Sequence, residues 1–160
     1  MQVASPIRVY ADASVFGGWF DPEFDAATER FLERVRRGEV RLVVSGAVRD
    51  EIARAPEHVR RLFAALVPAA EVVEVPDEAV QLQQAYIRHG VVSERWDADA
   101  RHVAAATVLG CDAIVSWNFR HIVNWRRIRL YNEVNALAGY GPLAIHSPME
   151  VVDDEETEEL

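Results

Sequence analysis

Ile7-Arg8-Val9-Tyr10-Ala11-Asp12 decides the reading of this chain. Its first five residues form a short apolar run that reads as a buried first strand, and the run ends on a carboxylate. A charge at the end of a buried strand is costly unless it is solvated, paired or metal-bound. Asp12 therefore marks either a tight turn, which Asp favours, or a site. A second run, Ala113-Ile114-Val115-Ser116-Trp117, is followed in the same way by Asn118.

Outward from these two runs, strands and helices alternate. Asp21-Pro22 opens a helix, because Pro suits a first turn. Ala26, Phe31, Leu32 and Val35 give that helix an apolar stripe, and Gly38 ends it. Arg41 to Val44 is a short β-branched strand. Ser45 is the N-cap of a helix running through Ala53. Pro56 opens another, whose Val59, Leu62, Phe63 and Leu66 fall at helical spacing. Val72 to Val75 is a third strand, and Asp77 caps a helix that runs to His89. Asp97 caps the next, which runs through Leu109 and stops at Gly110. Asp112 to Ser116 is a fourth strand, Asn124 to Ala136 a helix ending near Gly139, and Leu143 to Ile145 a fifth strand. This order predicts an α/β fold with a mostly parallel sheet covered on both faces. At 160 residues, one domain over 1–152 is expected. The acidic tail, 153–160, cannot bury apolar surface and is expected to be disordered.

Half of the residues are hydrophobic, enough for a sizeable core. The uncharged apolar stretches from Val103 to Cys111 and from Val134 to Ile145 fall short of the roughly 20 residues of a membrane-spanning helix. No basic-then-apolar leader opens the sequence. A lone Cys111 excludes an internal disulfide framework and fits a reducing cytoplasm; it reads as a small core residue. The formal charge is −9, but without the tail 20 acidic residues face 17 basic ones, so the low net charge does not argue against a nucleic-acid partner. All 17 basic residues are Arg. The absence of Lys speaks against a Walker phosphate loop and against Schiff-base chemistry.

Three carboxylates and one amide fall at corresponding ends of these elements: Asp12, Glu51, Asp99 and Asn118. Asp99 and His102, at i and i+3, share one helix face, and Asp99 lies in the first turn, where the helix dipole favours an anion. Taken singly, each has an ordinary reading. Asp12 and Asn118 suit turns, Glu51 a solvated helix face, Asp99 a helix start, and His102 a satisfied core position. Together they require four coincidences of position at the sheet edge where α/β folds build their sites. Oxygen ligands of this kind suit a hard divalent cation, Mg²⁺ or Mn²⁺.

At these residues the chain resembles the PIN-domain nucleases, which include the VapC-type toxins of bacterial toxin–antitoxin pairs. The resemblance runs from about Val9 to Val152. It is carried by Val9-Tyr10-Ala11-Asp12-Ala13-Ser14-Val15, by Val44-Ser45 followed by Asp50-Glu51-Ile52, by Asp99-Ala100-Arg101-His102-Val103-Ala104-Ala105-Ala106, and by Asp112 through Phe119. The stretch from Ser116 to Asn124 is similar to one bacterial subset of the family.

The resemblance implies a three-layer fold with a five-stranded sheet of order 3-2-1-4-5. It implies Asp12, Glu51 and Asp99 as the acids that hold the metal, and Asn118 where many members carry a fourth acid. Asp50 competes with Glu51 and Asp97 with Asp99, but only Glu51 precedes the apolar Ile52 and only Asp99 lies three residues before His102. The implied activity is metal-dependent hydrolysis of RNA, with a cognate antitoxin and a homodimer as expected partners and no membrane. Ser116 and His102 would support the acids. Arg120, His121, Arg126 and Arg127, with Arg129, Trp125 and Tyr131, would contact RNA; a surface loop and a solvated helix face are their ordinary readings. Because Asn118 adds no charge, a nucleic-acid-binding or regulatory module with a weakened site stays open, as does a hydrolase of a small phosphorylated metabolite. The ribonuclease reading requires Asp12, Glu51 and Asp99 to lie close enough to share an ion.

Overall fold

The structure, a computed structural model, describes residues 6–151. Five strands form one parallel sheet: β1 (Ile7–Ala11), β2 (Val40–Ser45), β3 (Ala70–Val73), β4 (Ala113–Val115) and β5 (Ala144–His146). Their order is β3-β2-β1-β4-β5, as the sequence led us to expect. β1 is central, aligning Val9 with Leu42 of β2 and with Ala113 of β4. The chain builds outward from β1 through β2 to β3, then crosses to β4 and β5 on the other side. The change of direction at β1 and β4 leaves a crevice beyond their carboxyl ends.

Among the described residues seven α-helices accompany the sheet: α1 (Ala13–Gly18), α2 (Asp25–Arg36), α3 (Gly46–Ala53), α4 (Glu57–Leu66), α5 (Asp77–Arg88), α6 (Asp97–Val108) and α7 (Trp125–Leu137). Val9, Tyr10, Ala11, Val43, Val44, Ile114 and Val115 are wholly buried, which is what a sheet covered on both faces demands. Arg8, near the start of β1, locks the opposite end. It grips Glu71 of β3 through two bonds of 3.2 and 2.9 Å and donates to the Leu109 carbonyl at 2.7 Å.

The structure corrects several local expectations. α1 was not expected. The stripe of α2 begins at buried Ala27, while Ala26 is exposed, and residues 22–24 form a turn before that helix. β3 starts two residues earlier than the β-branched run suggested, because a 3-10 turn at Val67–Ala69 hands the chain to the sheet at Ala70. Asp77 and Asp97 open their helices from inside the first turn and make no side-chain cap, a position where the helix dipole still favours a carboxylate. Ser45 and Asn124 are true caps, accepting from the amides of Ala47 and Arg127. The acidic tail lies outside the described residues. No helix among the described residues is long and apolar enough to cross a membrane.

Candidate functional site

Asp12 stands one residue past β1 and is 5% exposed. Two hydroxyls hold it: Ser14 Oγ donates to Oδ1 at 2.6 Å, and Ser116 Oγ, from just past β4, donates to Oδ2 at 2.8 Å. The same hydroxyl oxygens accept from the backbone amides of Trp117 and Asn118, both at 2.9 Å. The carboxyl ends of the two central strands are thus tied together through one carboxylate. Burial raises the Asp12 carboxyl above its ordinary pKa, while nearby His102 and the two hydroxyl bonds work against that rise.

His102 is the hub of the site. α6 buries it to 2% exposure, and its two ring nitrogens are both engaged. Nδ1 meets the Tyr10 hydroxyl at 2.8 Å, which in turn meets Ser45 Oγ at 2.7 Å. Nε2 meets Glu51 Oε1 at 2.7 Å. Burial alone would lower the imidazole pKa. The bond to Glu51 and the charges of Asp12, Glu51 and Asp99 outweigh it, and the net shift is upward. Three acids from three separate elements therefore act on one buried imidazole.

Asp99, in the first turn of α6, has its own histidine: His121 Nδ1 lies 3.1 Å from Asp99 Oδ2. His121 is buried and stacked on Trp96, with ring centroids 4.2 Å apart and planes at 23°. The Arg95 guanidinium lies over the Trp96 ring, 5.0 Å from its centroid. The Tyr131 hydroxyl donates to the His121 carbonyl at 2.7 Å. His121 therefore faces an acid, where the sequence suggested a surface or substrate-facing position.

Asn118 turns its side chain onto the backbone that follows it. Oδ1 accepts from the amides of Arg120 at 3.2 Å and His121 at 3.0 Å, shaping the loop that carries His121. Its amide nitrogen remains as the donor.

Of the competing pairs, Glu51 meets His102 while Asp50 pairs with Arg49, and Asp99 meets His121 while the Asp97 carbonyl accepts from Gln83. Arg120 and Arg126 are exposed. Arg127 lies close enough to Tyr131 to influence its hydroxyl, and its Nε is buried with no hydrogen-bond partner among the described residues. Arg126 and Arg127 line a separate depression of about 170 Å³ with Gly90, Val91 and Leu130. Ser14, Tyr10, Ser45 and Trp96 were not expected at the site. Ser14, two residues after Asp12, offered the one local signal, since a hydroxyl there reaches a carboxylate at the same turn.

The donor set is chemically suited to a hard divalent cation: carboxylate oxygens, one of them buried with only hydroxyl partners. Its placement does not meet the expectation that Asp12, Glu51 and Asp99 lie close enough to share an ion. Among the described residues no three His, Cys, Asp or Glu side chains are grouped as a metal ion would require. As placed, Glu51 meets His102, Asp99 faces His121 and Asp12 is held by two serine hydroxyls.

The sheet order and the flanking helices give this chain the fold of the VapC-type PIN-domain structures. It is similar to VapBC2 from Rickettsia felis bound to a DNA fragment from their promoter, at 8% identity and a TM-score of 0.56 over 88% of this chain and 98% of that one. It is similar also to FitAcB from Neisseria gonorrhoeae, at 12% identity and 0.58 over 89% and 99%. A third likeness is to Mycobacterium tuberculosis VapC20, a sarcin-ricin loop cleaving toxin, at 14% identity and 0.51 over 85% and 98%. At such identities the likeness is one of fold. No family model and no curated protein matches the sequence.

Proposed function

We propose that this chain is a metal-dependent endoribonuclease and the toxin of a type II toxin–antitoxin pair, with residues 1–152 forming a single PIN-like domain. The observation that carries the reading is the network at the carboxyl edge of the PIN-like sheet, where Ser14 and Ser116 hold Asp12, Glu51 meets His102 and Asp99 faces His121. Asp12 and Asp99 would hold Mg²⁺ or Mn²⁺, and Glu51 would supply a further ligand or orient the attacking water. The chemistry such an ion would supply is Lewis acidity toward the phosphoryl oxygens and a lowered pKa for the attacking water. Ser14 and Ser116 hold Asp12, His102 holds Glu51, and His121 holds Asp99. The amide nitrogen of Asn118 donates to a phosphate oxygen, since its carbonyl oxygen is committed to the loop. Arg120, Arg126 and Arg127 contact the RNA backbone. An antitoxin and a second copy of the chain are the proposed protein partners, in the cytoplasm.

The test is cleavage of structured RNA in Mn²⁺ by the parent, Asp12→Asn and Asp99→Asn. Loss of about a hundredfold or more in both variants is expected, the scale on which removing a charge-stabilising group acts. Variants that cut as fast as the parent overturn the assignment. A second reading, an RNA-binding module without catalysis, is favoured by the amide at Asn118 and by the absence of a ready-made three-ligand group among the described residues. Calorimetric titration with Mn²⁺ separates the two: the module would bind RNA, show no Mn²⁺ binding and leave RNA intact.

A further inference from the structure

A cleft of about 230 Å³ opens between α3 and α6 beside Glu51. Ala47, Asp50, Glu51 and Arg54 form its α3 wall, at spacings of three and four that place them on one helix face; Ala98 and Arg101 form its α6 wall. The two alanines are too small to close the gap. The acids in the cleft already have partners: Asp50 Oδ1 lies 3.4 Å from Arg49 Nε, and Glu51 meets His102. The cations are less committed. Arg101 donates through Nε to Gln83 Oε1 at 3.2 Å, and buried Gln83 is fixed by its own bond to the Asp97 carbonyl at 2.7 Å. Arg101 is therefore pre-positioned while its terminal nitrogens keep their donors. Arg54 is exposed, and its guanidinium makes no ion pair among the described residues.

We propose that this cleft holds a backbone phosphate of the RNA strand next to the scissile one, clamped by Arg54 and Arg101. The proposal rests on the ribonuclease reading and adds two residues to it. A guanidinium fork matches phosphate oxygens with two parallel bonds, which suits two arginines on opposite walls of one cleft. Glu51 belongs to both the cleft and the acid cluster, so a strand leaving the cluster between α3 and α6 enters the cleft directly. Phosphate contacts fix the register of a strand without reading its bases, so the cleft sets where the strand lies and leaves base choice to other groups.

The test uses the full chain and a fluorescent single-stranded RNA. The parent is compared with Arg54→Gln/Arg101→Gln, with Arg54→Gln alone, and with a control, Arg36→Gln/Arg37→Gln, on α2 outside the cleft. Binding is followed by anisotropy in EDTA across a salt series, and cleavage by steady-state kinetics in Mn²⁺. For the double variant we expect KM and the dissociation constant to rise about tenfold, with kcat within about twofold. The salt slope should fall by about 0.7, the contribution of one single-strand phosphate. The control should stay within about twofold on every readout. Should Arg101→Gln lower the melting temperature, Arg54→Gln alone carries the test, with KM raised about threefold. If the parent cuts RNA and the cleft variants keep its KM, affinity and salt slope, the cleft proposal fails alone. If the parent neither binds nor cuts RNA, the ribonuclease reading fails with it.

Discussion

Asn118 occupies the place where a fourth acid would be expected, and its oxygen is spent on two backbone amides, those of Arg120 and His121. A carboxylate in the same place would accept from both amides at least as well, since charged acceptors make the stronger bonds. Asn118→Asp is therefore expected to keep the loop and add one negative charge beside the cluster. Calorimetry should show Mn²⁺ bound about tenfold more tightly, because ligand charge tunes affinity for such ions. An unchanged affinity would place residue 118 away from the ion. Asn118→Ala removes the acceptor instead and should cost about 1–2 kcal/mol of stability by urea denaturation. The positions of Asp12, Glu51, Asp99 and His102 were legible because each sits at a readable boundary: a strand end, a helix face, a first turn. The orientation of Asn118 and the burial of His121 were not. Both depend on the loop folding back over α6, where Trp96 covers the His121 ring, and no spacing within 118–124 announces a stacking partner from a distant segment.

At the scale of elements, the long periodic pieces were legible and the short one was not. α4 shows its buried face as Val59, Leu62 and Leu66, with Phe63 partly covered, as a 3.6-residue repeat requires. α1 spans six residues and ends in Gly17-Gly18, too short for a repeat to show and composed against helix formation at its end. Its reason lies in packing. A Cβ on Gly18 would lie 2.5 Å from Trp117 Nε1 and 2.8 Å from Thr28 Oγ1, which are themselves hydrogen-bonded at 2.9 Å. Trp117 cannot easily yield, since Phe24 stacks on it with centroids 4.2 Å apart. Helix propensity favours Ala over Gly by about 1 kcal/mol, so propensity alone predicts that Gly18→Ala stabilises. The contact predicts the reverse, a loss of about 1–3 kcal/mol from overpacking. Chemical denaturation reads the sign, and a gain in stability would show that the Trp117 contact relaxes at little cost.

For the whole molecule, His102 joins elements that are far apart in the chain: β1 through Tyr10, α3 through Glu51, and its own helix α6. Its protonation is therefore linked to global unfolding. Folding raises the pKa of the imidazole above its ordinary 6.5, so the folded chain binds this proton more tightly than the unfolded chain does. The stabilisation is fully present below about pH 6.5 and is lost as pH rises through the folded value. Asp12 acts in the same direction from a lower starting pH. Its pKa is also raised from 3.8, so ionising it above that value costs folded stability until its folded pKa is passed. The metal-free protein is thus expected to lose stability as pH climbs above about 6.5, a fall to be read between pH 6.5 and 8.5. One proton bounds the slope at about 1.4 kcal/mol per pH unit. Unfolding free energies from urea melts in EDTA at intervals across that range check this, with His102→Gln as the comparison. Gln has no proton to lose there, so the variant should be less stable at pH 6 and show a flatter profile. A parent profile that stays level or rises between pH 6.5 and 8.5 would mean that the three acids do not hold the imidazole's proton as their placement requires.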